Sequence, residues 1–456
     1  MSSLPLIAGF TRDAVFARRA VSGEAVSAAR FLADCARVAE MLPPRGQVLN
    51  LCADRYRFAV GFCAALLRRQ VSLLPPNHTP ALLAELTAQY PQLYCLADAP
   101  DDSIGLDIVL YPAEDRAPPP AAFAVPQIPG EQLAAIVFTS GSTGTPVPNH
   151  KSWRRLTLSA HAETSRLGTA AWPGLALIAT VPPQHMYGLE SSVLMATLGG
   201  LALGAGRPFY AADIIADLES VPRPRGLVTT PVHLRAVLAT AGALPQVDFM
   251  LCATAPLPPP LALEAEQRFG APLYEIYGCT EAGQVASRRT TAGPEWRTLP
   301  GVMLRHDNQG TWASGGHVET AILLGDVIEL TGDVHQVGAA GETFHLLGRT
   351  ADLVNIAGKR TSLAHLNFHL HAIQGVVDGV FVMPEDDAGD LTRLTALVVA
   401  PGLTAQALTR ELKKRIDPAF MPRPLYMVDA LPRNPTGKIT RQALAELQAQ
   451  LAAKGH

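Results

Sequence analysis

Apolar runs of strand length recur at residues 134–138, 175–181, 227–228, 249–253 and 273–276, each closed by Gly, Pro, Ser or Thr. Helix-length segments at 152–166, 211–219, 231–241 and 261–269 lie between or after them. Alternation of this kind predicts an α/β fold with ligands gathered at the C-terminal ends of the strands. The proline-rich stretches 117–129 and 257–260 read as exposed connections, because proline removes a ladder donor. After Gly348 the pattern changes to a small α+β unit: a helical stretch near 363–373, strands near 376–383 and 394–399, then a helical 404–416. The expected organisation is a large N-terminal domain of α/β subdomains, residues 1–348, and a small α+β C-terminal domain, residues 349–456, with the boundary near 349–352.

The 456 residues are 48% hydrophobic and 17% charged, enough for a large core. Lys and Arg total 37 against 40 for Asp and Glu, so no charge imbalance points to nucleic acid or a membrane surface. The six cysteines form no C-x-x-C pair, which suits reduced thiols. No stretch reaches the ~18 apolar residues of a membrane span, and the N-terminus lacks a basic region followed by a long apolar segment. A cytoplasmic protein without membrane insertion is expected.

Five clusters carry the chemistry. The loop Thr139-Ser140-Gly141-Ser142-Thr143-Gly144-Thr145 packs five hydroxyl residues and two glycines into seven positions after a buried strand. It can offer backbone N–H groups and hydroxyls to phosphate oxygens, although an ordinary Ser/Gly turn has the same composition. It is not a G-x-x-x-x-G-K-[ST] loop. The second cluster, Tyr274 to Gly283, contains Tyr277, Thr280 and Glu281. A carboxylate there can hold Mg²⁺ against phosphate, and Tyr277 can stack on a purine; a surface Glu and a core Tyr are the plainer alternative. In Thr331-Gly332-Asp333 the carboxylate can accept from both ribose hydroxyls, or simply close a turn. The fourth cluster is Gly348-Arg349-Thr350-Ala351-Asp352 with Gly358-Lys359-Arg360, and the fifth is Leu431 to Arg441, with Lys438 after Pro and Gly.

In this order and spacing the clusters resemble the acyl-adenylate-forming (AMP-forming) superfamily of acyl- and aryl-CoA synthetases and adenylation domains, over about residues 130–445. Residues 49–76 resemble the family's opening helix-and-strand unit. The resemblance implies ATP and Mg²⁺, with rotation of the C-terminal domain between half-reactions. It assigns Thr139, Ser140, Gly141, Ser142, Thr143 and Gly144 to the β- and γ-phosphates, Thr280 and Glu281 to the α-phosphate and Mg²⁺, and Asp333 and Arg349 to the ribose. Thr254-Ala255-Pro256, Glu275, Ile276 and Tyr277 are assigned to the adenine. The stretch Pro182 to Gly188 resembles the family's Pro-x-x-His-x-x-Gly, which places His185 at the substrate carboxylate unless it is a core histidine, with Thr230 and Gly278 in the acyl pocket. Gly358 and Arg360 match positions that line a pantetheine tunnel, and Lys438 matches the adenylation lysine. Charge logic supports that last role independently: a carboxylate attacking an α-phosphate brings two anions together, so a cation must arrive.

The chain also departs from the pattern. Val147 stands where the family has a lysine, with Lys151 as a possible substitute, Ala351 occupies the hinge, and the segment 312–331 is poorly matched. His365, His369 and His371 share a helical stretch; an amphipathic surface helix is the expectation there rather than a metal site. The expected activity is ATP-dependent conversion of a carboxylic acid to an acyl-adenylate, then transfer to the phosphopantetheine thiol of CoA or an acyl carrier protein. Residues 147–153 and the short length are similar to stand-alone ligases of aryl polyene clusters, which makes a hydroxybenzoate-like acid the first expectation. The alternatives are a medium-chain fatty acyl-CoA synthetase and a catalytically impaired nucleotide- or acyl-adenylate-binding protein.

Overall fold

The computed structural model describes residues 2–112, 119–139, 147–331, 341–349, 353–356, 359–383, 394–433 and 439–453. Two large sheets dominate. The first has six strands in the order Val147–Ser152, Leu133–Thr139, Val71–Leu74, Gln47–Asn50, Tyr94–Ala97, Ile108–Leu110, parallel except at the Val147–Ser152 edge. The second has eleven strands. Six of them form a parallel centre: Leu273–Cys279, Phe249–Cys252, Arg225–Thr229, Ala176–Ala179, Ala202–Gly204 and Val15–Arg18. Antiparallel strands extend it at both ends. Parallel strands covered on both faces read as continuous apolar runs, which is why Leu133–Thr139, Ala176–Ala179, Arg225–Thr229, Phe249–Cys252 and Leu273–Cys279 were visible in the sequence.

The helices start and stop where local chemistry permits. Ser152 caps Trp153–Leu167 by accepting from the Arg155 amide at 3.1 Å, and Gly168, at φ 65°, ends it in the left-handed region. Asp54 caps Arg55–Leu67, a helix buried on nearly every side. One continuous core joins the two sheets through that helix, with Phe16, Leu177, Val228 and Phe249 from one sheet and Val48, Leu74, Tyr94 and Val137 from the other.

Two expected connections carry structure. Residues 257–260 are not all loop: Pro258 and Pro259 open the helix Pro259–Phe269, where a missing N–H costs no intrahelical bond. Gln127–Pro129 pairs as an edge strand with Ser3–Pro5. Beyond residue 353, Asp378–Val382, Thr395–Val399 and Leu425–Met427 form a three-stranded sheet, accompanied by helices Leu363–His371, Ala405–Leu412 and Arg441–Ala453. Its cores draw only on residues between Val354 and Leu451.

Candidate active site

The segments singled out in the sequence leave the C-terminal ends of parallel strands. Thr139 ends Leu133–Thr139, His185 follows Ala176–Ala179, Thr230 follows Arg225–Thr229, Thr254-Ala255-Pro256 follow Phe249–Cys252, and Thr280 and Glu281 follow Leu273–Cys279. This is the face on which α/β sheets bind ligands. Ser140, Gly141, Ser142, Thr143, Gly144, Asp333, Gly358 and Lys438 lie outside the described residues, as do the side chains of Arg349 and Arg360.

On the adenine side, Thr254 adopts φ 81°, unusual for a β-branched residue and the kind of strain that collects at ligand sites. Glu275 is buried, and its carboxylate is engaged within the protein. It accepts from Arg288 Nε at 2.6 Å, from the Thr290 hydroxyl, and from the Leu257 amide at 3.3 Å. Burial pushes its carboxyl up, and Arg288 and Thr290 oppose that shift. Its carboxylate therefore buckles the 254–257 loop to the neighbouring strand, which is how Glu275 bears on the expected adenine side. Tyr277 donates to Asp326 Oδ2 at 2.8 Å and meets Trp296 and Phe344 edge-on, with ring centroids 5.8 and 6.0 Å away. These contacts fix its ring orientation, and Ile276 beside it belongs to the main core.

On the acid side, His185 caps the short helix Met186–Gly188, with Nδ1 accepting from the Tyr187 amide at 3.2 Å. That bond leaves Nε2 as the protonated nitrogen of the neutral ring. Gly188 is required there, because a Cβ would lie 2.0 Å from the Pro182 carbonyl oxygen. A π-helical turn, Leu189–Leu194, follows. Thr230 is fully buried; it caps Pro231–Leu238 and its hydroxyl lies 3.0 Å from His233 Nδ1, as does that of Thr180. Its hydroxyl therefore orders the strand end. Gly278 is exposed at the start of the hairpin to Gly283–Arg289, and a Cβ there would lie 2.3 Å from the Gly283 carbonyl oxygen.

Several site-supporting residues had no legible signal. Arg55, fully buried, donates to the Ala179 and Val181 carbonyls at 2.7 Å each and to Ser192 Oγ at 2.8 Å. It thus ties down the strand end that leads to His185. Burial lowers its pKa to about 9, so the guanidinium stays charged at neutral pH. Lys151 is also fully buried, donating to the carbonyls of Thr280 and Glu281, and Arg155 donates to the Glu281 carbonyl. Glu190 accepts from Ser159 at 2.8 Å, and Gln284 donates to Ser191 at 2.9 Å. Full burial pushes Glu163 up to about 8, making it a neutral acid at pH 7, with Ser191 and Gln284 as polar neighbours. His317, from the poorly matched segment, donates from Nε2 to the Gln284 carbonyl at 2.6 Å, and burial lowers it to about 4.

Five residues before Lys438 in sequence, Arg433 makes a bidentate pair with Asp378, Nη2 lying 2.9 and 2.7 Å from the two carboxylate oxygens. His371 Nε2 lies 3.6 Å from the same carboxylate, and Arg235 of the N-terminal region adds its charge. His365 and His369 meet edge to face at 4.6 Å. Among the described residues no group of three or more His, Cys, Asp or Glu is placed to hold a metal ion.

A family model described as AMP-binding enzyme matches residues 73–310. A 4-coumarate–CoA ligase of Rhodobacter capsulatus is 30% identical over 312 residues, covering 68% of this chain and 75% of that protein. A probable 2-succinylbenzoate–CoA ligase of Mycobacterium tuberculosis is 30% identical over 345 residues, covering 69% and 85%. The fold is similar to ATP-bound MatB from Rhodopseudomonas palustris, with a TM-score of 0.78 at 20% identity and 96% coverage of both chains.

Proposed function

The chain belongs to the AMP-binding enzyme family, and from that premise we propose that it is an AMP-forming acid–thiol ligase acting on an aromatic carboxylic acid. In the first half-reaction a carboxylate oxygen of the acid attacks the α-phosphorus of ATP, forming the acyl-adenylate and expelling pyrophosphate. In the second, a phosphopantetheine thiol attacks the acyl carbon; the thiol gives up its proton and AMP leaves. The observation that supports this reading is that Thr139 in the six-stranded sheet, and His185, Thr254 and Thr280-Glu281 in the eleven-stranded sheet, all lie at or just beyond the C-terminal ends of parallel strands.

The residues fit a nucleotide with a divalent ion. Glu281 is half-buried in a hairpin turn whose backbone is held by two buried or part-buried cations, so its carboxylate supplies one hard oxygen ligand, and phosphate and water supply the others. Mg²⁺ bound there would offset charge on the phosphates. Thr280 meets the α-phosphate, residues 139–144 cradle the β- and γ-phosphates, and Asp333 and Arg349 hold the ribose. His185, whose ring is oriented by the Tyr187 amide on Nδ1, orients the incoming carboxylate. Lys438 brings positive charge to the α-phosphoryl oxygens. Residues 349–456 form a mobile domain that carries Lys438 in for the first step and turns to present Gly358 and Arg360 to the pantetheine in the second.

The acid is placed in the aromatic class, with a hydroxybenzoate as the first candidate. The supports are the resemblance of residues 147–153 to aryl polyene cluster ligases and the aromatic acids named in both sequence relatives. The acceptor is CoA or a phosphopantetheinylated acyl carrier protein, and the enzyme works in the cytoplasm. Acid-dependent pyrophosphate exchange across benzoates, cinnamates and fatty acids tests the substrate class, followed by thioester assay with CoA and with carrier protein. Exchange confined to aromatic acids is expected; a preference for aliphatic chains overturns the aromatic assignment.

A further inference from the structure

Lys151 lies where its strand breaks register. Val147–Ser152 runs antiparallel to Leu133–Thr139 with Lys151 opposite Ala135, and the pairing slips between Lys151 and Ser152, just before the helix Trp153–Leu167 begins. Such an irregularity re-aims a side chain and is frequent beside active sites. Here it coincides with a lysine that is 0% exposed. Its Nζ donates to the Thr280 carbonyl, and to the Glu281 carbonyl at 3.3 Å. One helical turn later Arg155 donates Nη2 to that same Glu281 carbonyl. Glu190, buried nearby, interacts favourably with both cations and is itself held by Ser159.

Burying an ammonium is costly unless it is paired and hydrogen-bonded, so the arrangement persists only because these contacts offset that cost. The contacts go to main-chain oxygens. Two cations on the edge of the six-stranded sheet and the helix after it therefore grip a hairpin of the eleven-stranded sheet without occupying either hairpin side chain. Fixing two successive carbonyls fixes two peptide planes, and with them the directions in which the Thr280 and Glu281 side chains leave the chain.

We propose that Lys151 is a positioning residue that, with Arg155, clamps the Thr280–Glu281 turn so that its hydroxyl and carboxylate face the magnesium-bound triphosphate. The kinetic consequence rests on the acid-activating function proposed above; the clamp itself does not. It also gives Lys151 a role different from the phosphate-loop lysine whose usual place Val147 occupies: its charge is committed to the hairpin.

The experiment compares wild type with Lys151→Met and Arg155→Met in three readings: calorimetric binding of MgATP, hydrogen exchange at the Ala282 amide, which is held on Cys279 Sγ at 3.4 Å, and the KM values in pyrophosphate exchange. Losing a charged hydrogen bond at the turn should weaken MgATP by about tenfold or more and speed exchange at Ala282. The KM for the acid should change less than the affinity for MgATP, because His185, assigned to the substrate carboxylate, follows a different strand. Unchanged MgATP affinity and unchanged Ala282 protection in a folded variant overturn the clamp. If Lys151→Met does not fold, Arg155→Met decides by the same two readings. If wild type binds MgATP but exchanges pyrophosphate with no acid, the proposed function fails while binding and hydrogen exchange still judge the clamp.

Discussion

Arg288 and Glu275 form a buried ion pair in which Nε and Nη2 both lie 2.6 Å from one carboxylate oxygen, and the Arg288 guanidinium lies over the Trp296 ring at 4.5 Å. The other carboxylate oxygen takes the Leu257 amide, so the pair holds the loop 254–257 against the sheet. Removing one partner leaves the other charge buried. Arg288→Met should therefore cost about 3–5 kcal/mol and raise the KM for ATP. Glu275→Gln, which keeps an acceptor for Leu257, should cost less. Thermal melts and ATP titrations of the two variants check the order; equal melting temperatures for Arg288→Met and wild type contradict it.

Asp378 is pushed up by burial, but His371, Arg433 and Arg235 more than reverse this and hold it at about 2, below its ordinary 3.8. Its stabilisation is therefore complete above pH 3.8 and is lost as pH falls toward 2. The shift corresponds to about 2 kcal/mol. Acid unfolding followed by circular dichroism should show a transition in that window. Arg433→Met should move it to higher pH and make the unfolding less steep.

Glu163 has the opposite sign. Full burial raises it from 4.5 to about 8, so the native fold keeps a proton that the unfolded chain releases. The resulting stabilisation is complete below pH 4.5 and fades as pH rises to 8. Melting temperature should fall across that range in wild type, and Glu163→Gln should flatten the fall, gaining of order 1–3 kcal/mol relative to wild type at pH 8. Identical pH profiles for the two proteins would show that Glu163 is not the titrating group.

Five of the parallel strands, from Leu133–Thr139 to Leu273–Cys279, were legible because both faces are covered and their apolar runs end at polar punctuation, whereas the short Val15–Arg18 and Ala202–Gly204 were not. Even so, the helix expected at 261–269 begins two residues earlier, because 257–260 read as an exposed connection whereas proline is compatible with a first turn. Thr139 and Glu281 could be named because a strand end followed by polar punctuation is a local pattern, whereas His185 and Thr254 were named through the resemblance of their segments to the family. Arg55 and Glu163 could not, and Lys151 was named only as a possible phosphate-loop lysine, because their contacts depend on partners far along the chain: Arg55 on Ala179 and Ser192, Lys151 on Thr280. Burial of a charged residue is a property of the assembled sheets. Glu275 shows the converse: its position is legible, but the direction of its carboxylate is set by Arg288 and Thr290.

The central claim is that the chain forms an acyl-adenylate with Lys438 supplying the charge for that step. Its most direct test is pyrophosphate exchange with the preferred aromatic acid in wild type and Lys438→Ala, paired with thioester formation from supplied acyl-adenylate. Wild type should exchange only when the acid is present. The variant should lose exchange by about 100-fold or more while keeping most of its thioester activity. Exchange that survives in Lys438→Ala, or wild type that exchanges with no carboxylic acid, would contradict the account.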